Sequence, residues 1–248
     1  MNELGMKNIL LGTLLLCSLG ALGQSLSGTR GLMRIPTADM YPDKTFAIGA
    51  TYTPNGYFRR TYGALQGQIV DSPGSNTFVT LNLLPYLEVM FRYTHELNNR
   101  VNPDTGYFPD RMFTARLRLI KEQKYIPNIT IGVQDLSSAF ALTSRTATNF
   151  SAFYFVATKH FEWENYRLGL TVGNASDFLD LPARDYRGTF WGGSLSHKNI
   201  ENLELVLDYD TRMINAGLRG YFWENLHVMV GLLDFDKVTG VIAYRYTL

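Results

Sequence analysis

The chain is poor in cysteine: the only one, Cys17, lies within the first 23 residues. Basic Lys7, an apolar run over residues 9–16 and a small-x-small site at residues 21–23 predict a secretory signal peptide over residues 1–23. An exported chain without cysteine has no disulfide framework, which argues against a small stapled extracellular module. Lipidation of Cys17 is disfavoured because Leu16 before it is bulky.

The chain also lacks long apolar runs and excess charge. After Gln24 no apolar run approaches the roughly 20 residues of a spanning helix, so a membrane could be crossed only by strands. The 23 Lys and Arg face 22 Asp and Glu without a basic stripe, and we predict no nucleic-acid partner. Aromatic residues make up 13% of the chain, as in barrels with interfacial girdles but also in other Tyr-rich sheet proteins.

What the chain has in abundance is alternation of apolar and polar residues. From residue 113 to 119 the apolar side chains are Phe113, Ala115, Leu117 and Leu119, and the polar ones between them are Thr114, Arg116 and Arg118. Successive side chains of a strand point to opposite faces, so such strands have one apolar and one polar face. They build either a soluble β-sandwich with apolar faces inside or a membrane barrel with apolar faces outside.

Loop lengths decide between these two architectures. The alternating runs predict twelve strands, over residues 45–53, 76–83, 87–95, 111–121, 128–135, 149–161, 166–173, 189–197, 203–210, 213–222, 226–233 and 240–248. Connections after even-numbered strands are short and most of those after odd-numbered strands are long; only those after strands nine and eleven break the rule. A sandwich has no reason to sort loops by parity, whereas outer-membrane barrels have short periplasmic turns and longer extracellular loops.

We therefore predict an all-β, antiparallel up-and-down transmembrane β-barrel of about twelve strands over residues 45–248, located in the outer membrane. Residues 24–44 precede it as an extended segment that is either periplasmic or a plug.

The predicted hairpins have a consistent register. Between strands two and three, Leu81 faces Val89 on the apolar side. Between strands nine and ten, Leu205 faces Leu218, while Glu204 meets Arg219 on the other side. A charge pair of this kind suits an inward polar face.

Catalytic and metal-binding patterns are weak. Ser196 and His197 are adjacent, so a strand points them to opposite faces, and Ser194 forms a dyad with a base only if that base comes from another strand. Asp208 and Asp210 share a face, but solvated lumen lining explains them better than glycoside hydrolysis. Neither His160-x-Glu162 nor His95-Glu96 belongs to a His/Cys cluster. We predict no enzyme activity, no metal and no cofactor.

The functional signal is distributed over the polar faces of the strands. The candidate lumen-lining residues are Glu88, Arg92, Thr114, Arg116, Arg118, Arg167, Glu204, Asp208, Asn215 and Arg219. Such residues either tune selectivity and hold a plug or simply pair with one another to fill a narrow lumen. As a hypothesis, the five charged residues Arg92, Arg116, Arg118, Glu204 and Arg219 guide or gate a polar polymer, or anchor a segment of a partner.

Several motifs resemble a known family. They are Gly31-Leu-Met-Arg-Ile-Pro-Thr-Ala38, Leu84-Pro-Tyr-Leu-Glu88, Phe91-Arg-Tyr-Thr94, Leu117-Arg-Leu119, Tyr125-Ile-Pro127, Ile131-Gly-Val-Gln-Asp135 and Tyr154 to Lys159. Together they are similar to the YjbH outer-membrane proteins linked to exopolysaccharide production, over most of residues 31–173. The chain departs from the family pattern at residues 136–139, and it holds one barrel where other members can be longer.

The resemblance implies a role in secretion or surface assembly of an exopolysaccharide or capsule, and it supplies no catalytic residues. The partners we expect are outer-membrane lipid, polysaccharide and other export or assembly proteins. Two alternatives remain: a general porin-like or structural barrel, and a membrane-embedded lipid or glycan hydrolase.

Overall fold

The computed structural model describes residues 23–57, 72–97, 110–136, 150–177, 185–200, 202–223 and 225–248. The strands are β1 (Thr45–Thr53), β2 (Gly74–Leu84), β3 (Leu87–Glu96), β4 (Asp110–Ile120), β5 (Asn128–Gln134), β6 (Ala152–Glu162), β7 (Tyr166–Ser176), β8 (Gly188–His197), β9 (Leu203–Tyr209), β10 (Ile214–Phe222), β11 (Leu226–Leu233) and β12 (Lys237–Thr247). A short 3-10 helix spans Lys198–Ile200. Most of the predicted signal peptide lies outside the described residues.

The twelve strands form one closed antiparallel barrel in which β1 pairs with β12. This confirms the predicted all-β, antiparallel barrel of twelve strands and excludes a two-sheet sandwich. The predicted registers are also confirmed: Leu81 pairs with Val89, Leu205 with Leu218, and Glu204 with Arg219. Strand bounds differ from prediction by up to three residues, most at the starts of β6 and β12 and at the end of β7.

Strand β6 shows why its orientation is hard to predict from sequence. It carries large side chains on both faces: Tyr154 and Val156 are buried, whereas Phe155 between them is exposed. Tyr154 packs in a tilted geometry against Tyr186 at a centroid distance of 5.9 Å. The inward face therefore holds an aromatic cluster, and the alternation of burial remains intact although the alternation of polarity does not.

The outer surface of the barrel is apolar. Its exposed outward side chains include Ile48, Phe91, Leu117, Phe155, Leu170, Leu205, Leu218, Val230 and Ile242. In a soluble protein these residues would be buried; here they surround the strands as the lipid-facing band of a membrane barrel does. Among the described residues, no helix is long and apolar enough to cross a membrane.

The two ends of the barrel differ. One end, which we call the short-turn end, carries the connections after β2, β4, β6, β8 and β10, and its exposed aromatic residues include Tyr86, Tyr125, Trp163 and Trp223. The other end, the long-loop end, carries the four long connections after β1, β3, β5 and β7 and the two short ones after β9 and β11. Aromatic residues at the rim suit a membrane–water interface.

Candidate functional site in the barrel lumen

The interior of the barrel is filled by the chain itself. Residues 23–41, which we call the lumen segment, are buried apart from a partly exposed Arg34. Its apolar side chains Leu32, Met33 and Ile35 join the core cluster formed by inward residues of the strands. The segment that the sequence leaves open between periplasm and plug therefore makes its contacts inside the ring of strands.

The lumen segment is folded into two tight turns. Gln24 bridges to Arg30, Gly31 bridges to Pro36, and the N–H of Leu32 donates to the Ile35 carbonyl at 2.9 Å. Gly28 has φ +93°, and a Cβ there would lie 2.7 Å from Cγ of Phe78. Glycine is needed because the backbone is left-handed and also lies against an aromatic wall.

Arg116 and Glu88 form the first anchor of the segment. They face each other across β3 and β4, and Nη1 of Arg116 lies 2.6 Å from Oε1 of Glu88. The same guanidinium donates to the carbonyls of Arg30 at 3.1 Å, of Asp39 at 3.3 Å and of Thr37. A fully buried ion pair is expensive unless further hydrogen bonds satisfy it, and the segment's carbonyls supply them.

Arg219 and Glu204 form the second anchor, across β9 and β10. Nη1 of Arg219 lies 2.9 Å from Oε2 of Glu204, and the Tyr221 hydroxyl donates to the same oxygen at 3.1 Å. Nη2 of Arg219 donates to the carbonyls of Gly31 at 2.6 Å and Leu32 at 2.9 Å. The arrangement repeats that of the first anchor: a wall arginine, oriented by a wall glutamate, holds backbone carbonyls.

Asp208 forms the third anchor, with the opposite polarity. Its Oδ2 accepts the backbone N–H of Arg34 at 2.7 Å and of Ile35 at 3.2 Å, while Asn215 donates to Oδ1 at 2.9 Å. The Arg34 side chain pairs with Asp210 at 2.9 Å and with Asp185 at 3.3 Å. These contacts lie toward the long-loop end and fix the outermost turn of the segment.

Threonines complete the contacts with the lumen segment. The Thr80 hydroxyl donates to the Gly28 carbonyl at 2.7 Å and the Thr130 hydroxyl to the Ala38 carbonyl at 2.8 Å. Thr158 accepts the N–H of Ala38 at 2.8 Å. The strands therefore hold the segment mainly through its backbone, as they would hold any extended chain rich in hydrogen-bonding groups.

Of the remaining predicted lumen residues, Arg92 and Thr114 are buried, whereas Arg118 and Arg167 are half-buried. Arg92 is buried, with Cζ 4.3 Å from the Phe150 ring centroid, and Thr114 is buried with no hydrogen-bond partner for its hydroxyl among the described residues. Arg118 and Arg167 are half-buried at the short-turn end; Arg118 donates to the Pro85 carbonyl, and Nε of Arg167 lies 3.9 Å from Glu162. Among the described residues, neither Arg118 nor Arg167 forms a hydrogen bond or an ion pair with the lumen segment.

The family model described as exopolysaccharide biosynthesis protein YbjH matches residues 23–212, which include the lumen segment and β1 to β9. The chain belongs to the YjbH family. No curated protein matches it. Among solved structures, the COG4313 outer membrane channel from Pseudomonas putida F1 is similar with a TM-score of 0.44 and 9% identity, over 84% of this chain and 97% of that one.

Sequence reasoning missed several residues of this YjbH-family lumen. The lumen segment contributes Arg30, Arg34 and Asp39, and none of them stands in an alternating pattern. Asp210 is visible in sequence as a neighbour of Asp208 on one face, but its partner Arg34 is far away in the chain. The chain departs from the family pattern at residues 136–139, and of these, residues 137–139 lie outside the described residues.

The residues of the weak catalytic and metal-binding patterns mostly make packing contacts that are common in β-sheets. The His197 ring packs edge-on against Tyr166 at 4.8 Å, and His95 packs in the same way against Tyr93 at 4.4 Å. Ser196 lies opposite Arg167 and Glu204 in the neighbouring strands. His160, in contrast, lies beside two carboxylates that the sequence does not place near it, Asp39 and Glu122.

Proposed function

We propose that the protein is an outer-membrane barrel that takes part in secretion or surface assembly of an exopolysaccharide, with the lumen segment closing its pore at rest. This role needs no catalytic residue. The family assignment supports the link to exopolysaccharide, and the apolar exterior with short turns at one end supports insertion with that end toward the periplasm.

The observation that carries the proposal is the way the lumen holds its own segment. Arg116, Arg219 and Asp208 bind backbone carbonyls and N–H groups, and they do so without recognising a particular side chain. When the segment leaves, the same groups face the pore, where a polymer rich in hydroxyl groups can replace the lost hydrogen bonds. For Arg116 and Arg219, the contacts with the lumen segment support an anchoring role, with a segment of the same chain rather than of a partner.

The lumen segment can leave the barrel as a loop, without any part of the chain being threaded through the pore. Asp39 and Gln24 lie toward the short-turn end, whereas Arg34 reaches the long-loop end. Residues 42–44 then connect the segment to β1 at the short-turn end, where the N–H of Lys44 donates to the Asn82 carbonyl at 2.9 Å. Withdrawal toward the periplasm keeps this tether intact.

A disulfide that locks the segment tests the proposal. Ala38 and Thr158 are in direct contact, so Ala38→Cys with Thr158→Cys should crosslink segment and wall. We expect the oxidised variant to remain closed in planar bilayers and the reduced form to recover the wild-type open events. In a deletion strain, the locked variant should fail to restore secreted polysaccharide.

The controls are the two single-cysteine variants, whose opening and secretion should not depend on oxidation or reduction. If the locked variant restores secretion fully, movement of the segment is not required, and the proposal that the lumen segment gates the pore is wrong. If deletion of the gene leaves secreted polysaccharide unchanged while the purified protein conducts small solutes, the general porin-like role is correct instead.

A further inference from the structure

Three metal-ligating side chains meet where the lumen segment leaves the barrel at the short-turn end. Asp39 belongs to the segment, Glu122 to the connection between β4 and β5, and His160 to β6. One ligand atom from each residue lies within 4.8 Å of the others. The three residues are far apart in sequence and come from separate elements, so the barrel and its segment must both be in place to form the group.

The His160 ring lies between the two carboxylates. Its Nδ1 is 2.6 Å from Oε2 of Glu122, and its Nε2 is 3.6 Å from Oδ2 of Asp39. The other oxygen of Glu122 accepts from Nζ of Lys159 at 2.8 Å and from the backbone N–H of His160 at 2.9 Å. Burial tends to raise the pKa of Glu122, but the hydrogen bonds from His160 and Lys159 outweigh it and lower that pKa.

In the neutral imidazole, the 2.6 Å contact between Nδ1 and Oε2 of Glu122 selects one tautomer. The carboxylate accepts the proton on Nδ1, so Nε2 carries the lone pair and directs it toward Asp39. Two electron-rich atoms then face each other at 3.6 Å, an arrangement that a cation between them would stabilise.

We propose that His160 Nε2 and Asp39 bind a divalent transition-metal ion of the zinc class, with Glu122 orienting the histidine from behind. A ligating histidine usually donates its second N–H to a carboxylate, which fixes the ring and increases its basicity. Zinc bonds to nitrogen and carboxylate oxygen are about 2.0 to 2.2 Å long, so one ion fits between atoms 3.6 Å apart.

Gly169 allows the His160 ring to lie close to β7. It is the cross-strand neighbour of His160, and a Cβ at this position would lie 3.4 Å from Nε2 and 2.9 Å from Oγ of Ser194. A side chain here would press on the imidazole and on the Ser194 hydroxyl, and would disturb the orientation that directs Nε2 toward Asp39.

Nearby cations and protons oppose the metal. Nη2 of Arg30 lies 3.9 Å from Oδ2 of Asp39, Lys159 neutralises Glu122, and Asn128 donates to Oδ1 of Asp39 at 2.8 Å. A proton on Nε2 would occupy the same place as the metal, so the two compete for this atom. The ion would connect the lumen segment to β6 and stabilise the closed state. This effect does not depend on which polymer the barrel secretes.

Zinc titration of the refolded full chain by isothermal calorimetry at pH 7.5 tests the proposal. We expect one saturable site, weakened more than tenfold in His160→Ala and Asp39→Asn and by about 10- to 100-fold in Glu122→Gln. His197→Ala is the matched control, because this histidine lies near the same end but contacts Tyr166 instead. It should bind zinc as wild type does.

A second readout separates binding from folding. Zinc should raise the temperature at which the wild-type barrel unfolds, observed as the change in gel migration between unheated and heated samples. It should leave the unfolding temperature of His160→Ala unchanged. The proposal is overturned if zinc does not bind saturably, or if His160→Ala and Asp39→Asn bind it as tightly as wild type. It is equally overturned if zinc at pH 7.5 leaves the unfolding temperature of the wild-type barrel unchanged.

Discussion

The two faces of β4 show how differently the outside and the inside of this barrel are built. Outward Phe113 and Leu117 need only be apolar, since the bilayer accepts any apolar side chain. Inward Arg116 has four specific partners: a glutamate on β3 and three carbonyls of the lumen segment. The outer face is set by a general solvent preference and the inner face by particular contacts, so the two faces should respond differently to substitution.

The largest effect is expected at Arg116 itself. Arg116→Leu leaves the buried Glu88 charge without its ion pair and three carbonyls without a donor, which should cost about 3 to 5 kcal/mol of unfolding free energy. Urea titration of the barrel in lipid vesicles measures the loss. The double variant Arg116→Leu with Glu88→Leu should recover much of it, because no buried charge remains. A double variant less stable than Arg116→Leu would show that the ion pair is not what stabilises this face.

The outer face should respond to charge alone. Leu218 lies in the middle of β10 with its side chain exposed on the lipid side. Leu218→Arg should cost about 2 to 4 kcal/mol near the midplane of the bilayer. The control is Leu218→Ala, which keeps the surface apolar and should cost much less. Equal losses for the two substitutions would contradict a lipid-facing position and place this residue against protein.

Gly28 tests the fit of the segment to the wall. Gly28→Ala forces a side chain into a left-handed backbone and against Phe78, at a cost of about 1 to 3 kcal/mol. Planar-bilayer recordings should show more frequent opening because the segment is displaced while the barrel persists. Gly56→Ala is the control: φ there is +82°, yet no atom of the described residues lies within 4 Å of the added Cβ. Opening caused equally by both variants would mean that contact with Phe78 is irrelevant.

Arg34 tests the outermost contact of the segment at the long-loop end. Arg34→Gln removes the ion pairs with Asp210 and Asp185 but keeps the backbone bonds to Asp208. A partly exposed pair of this kind is expected to contribute about 1 kcal/mol, so opening should increase modestly. Arg187→Gln is the matched control, since it removes an exposed pair with Asp177 at the same end. The interpretation fails if the control opens the barrel as much as Arg34→Gln does.

The barrel could be predicted from sequence because its signal is local. Alternation within each strand and the parity of the connections are read from neighbouring residues, and they suffice for strand number, register and facing, as the pairs Leu81 with Val89 and Glu204 with Arg219 show. On β6 large residues on both faces obscure the pattern, and only the closed sheet decides that Tyr154 points inward.

The lumen segment could not be predicted in the same way. Its residues from Gly23 to Tyr41 have no single period, because the backbone makes two turns and is held by groups from nearly every part of the barrel. Arg34 meets Asp210, and Asp39 meets His160, across long stretches of chain that carry no spacing signal. What the sequence does supply is the set of wall residues, such as Arg116 and Asp208, that need inward partners.

The smallest expected effect concerns the short-turn end and its dependence on pH. The lowered pKa of Glu122 means that its ionised form stabilises the folded protein. This contribution is fully present above the ordinary glutamate pKa of about 4.3 and is lost as the pH falls through the lower pKa of the folded state. Measured with a chelator present, the heat-dependent gel shift of wild type should therefore move to lower temperature below about pH 4. Glu122→Gln should lack this part of the change, whereas Glu162→Gln, at an exposed pair with Arg167, should retain it. If both variants follow the wild-type profile, the contact between Glu122 and His160 contributes nothing measurable to the stability of the folded protein.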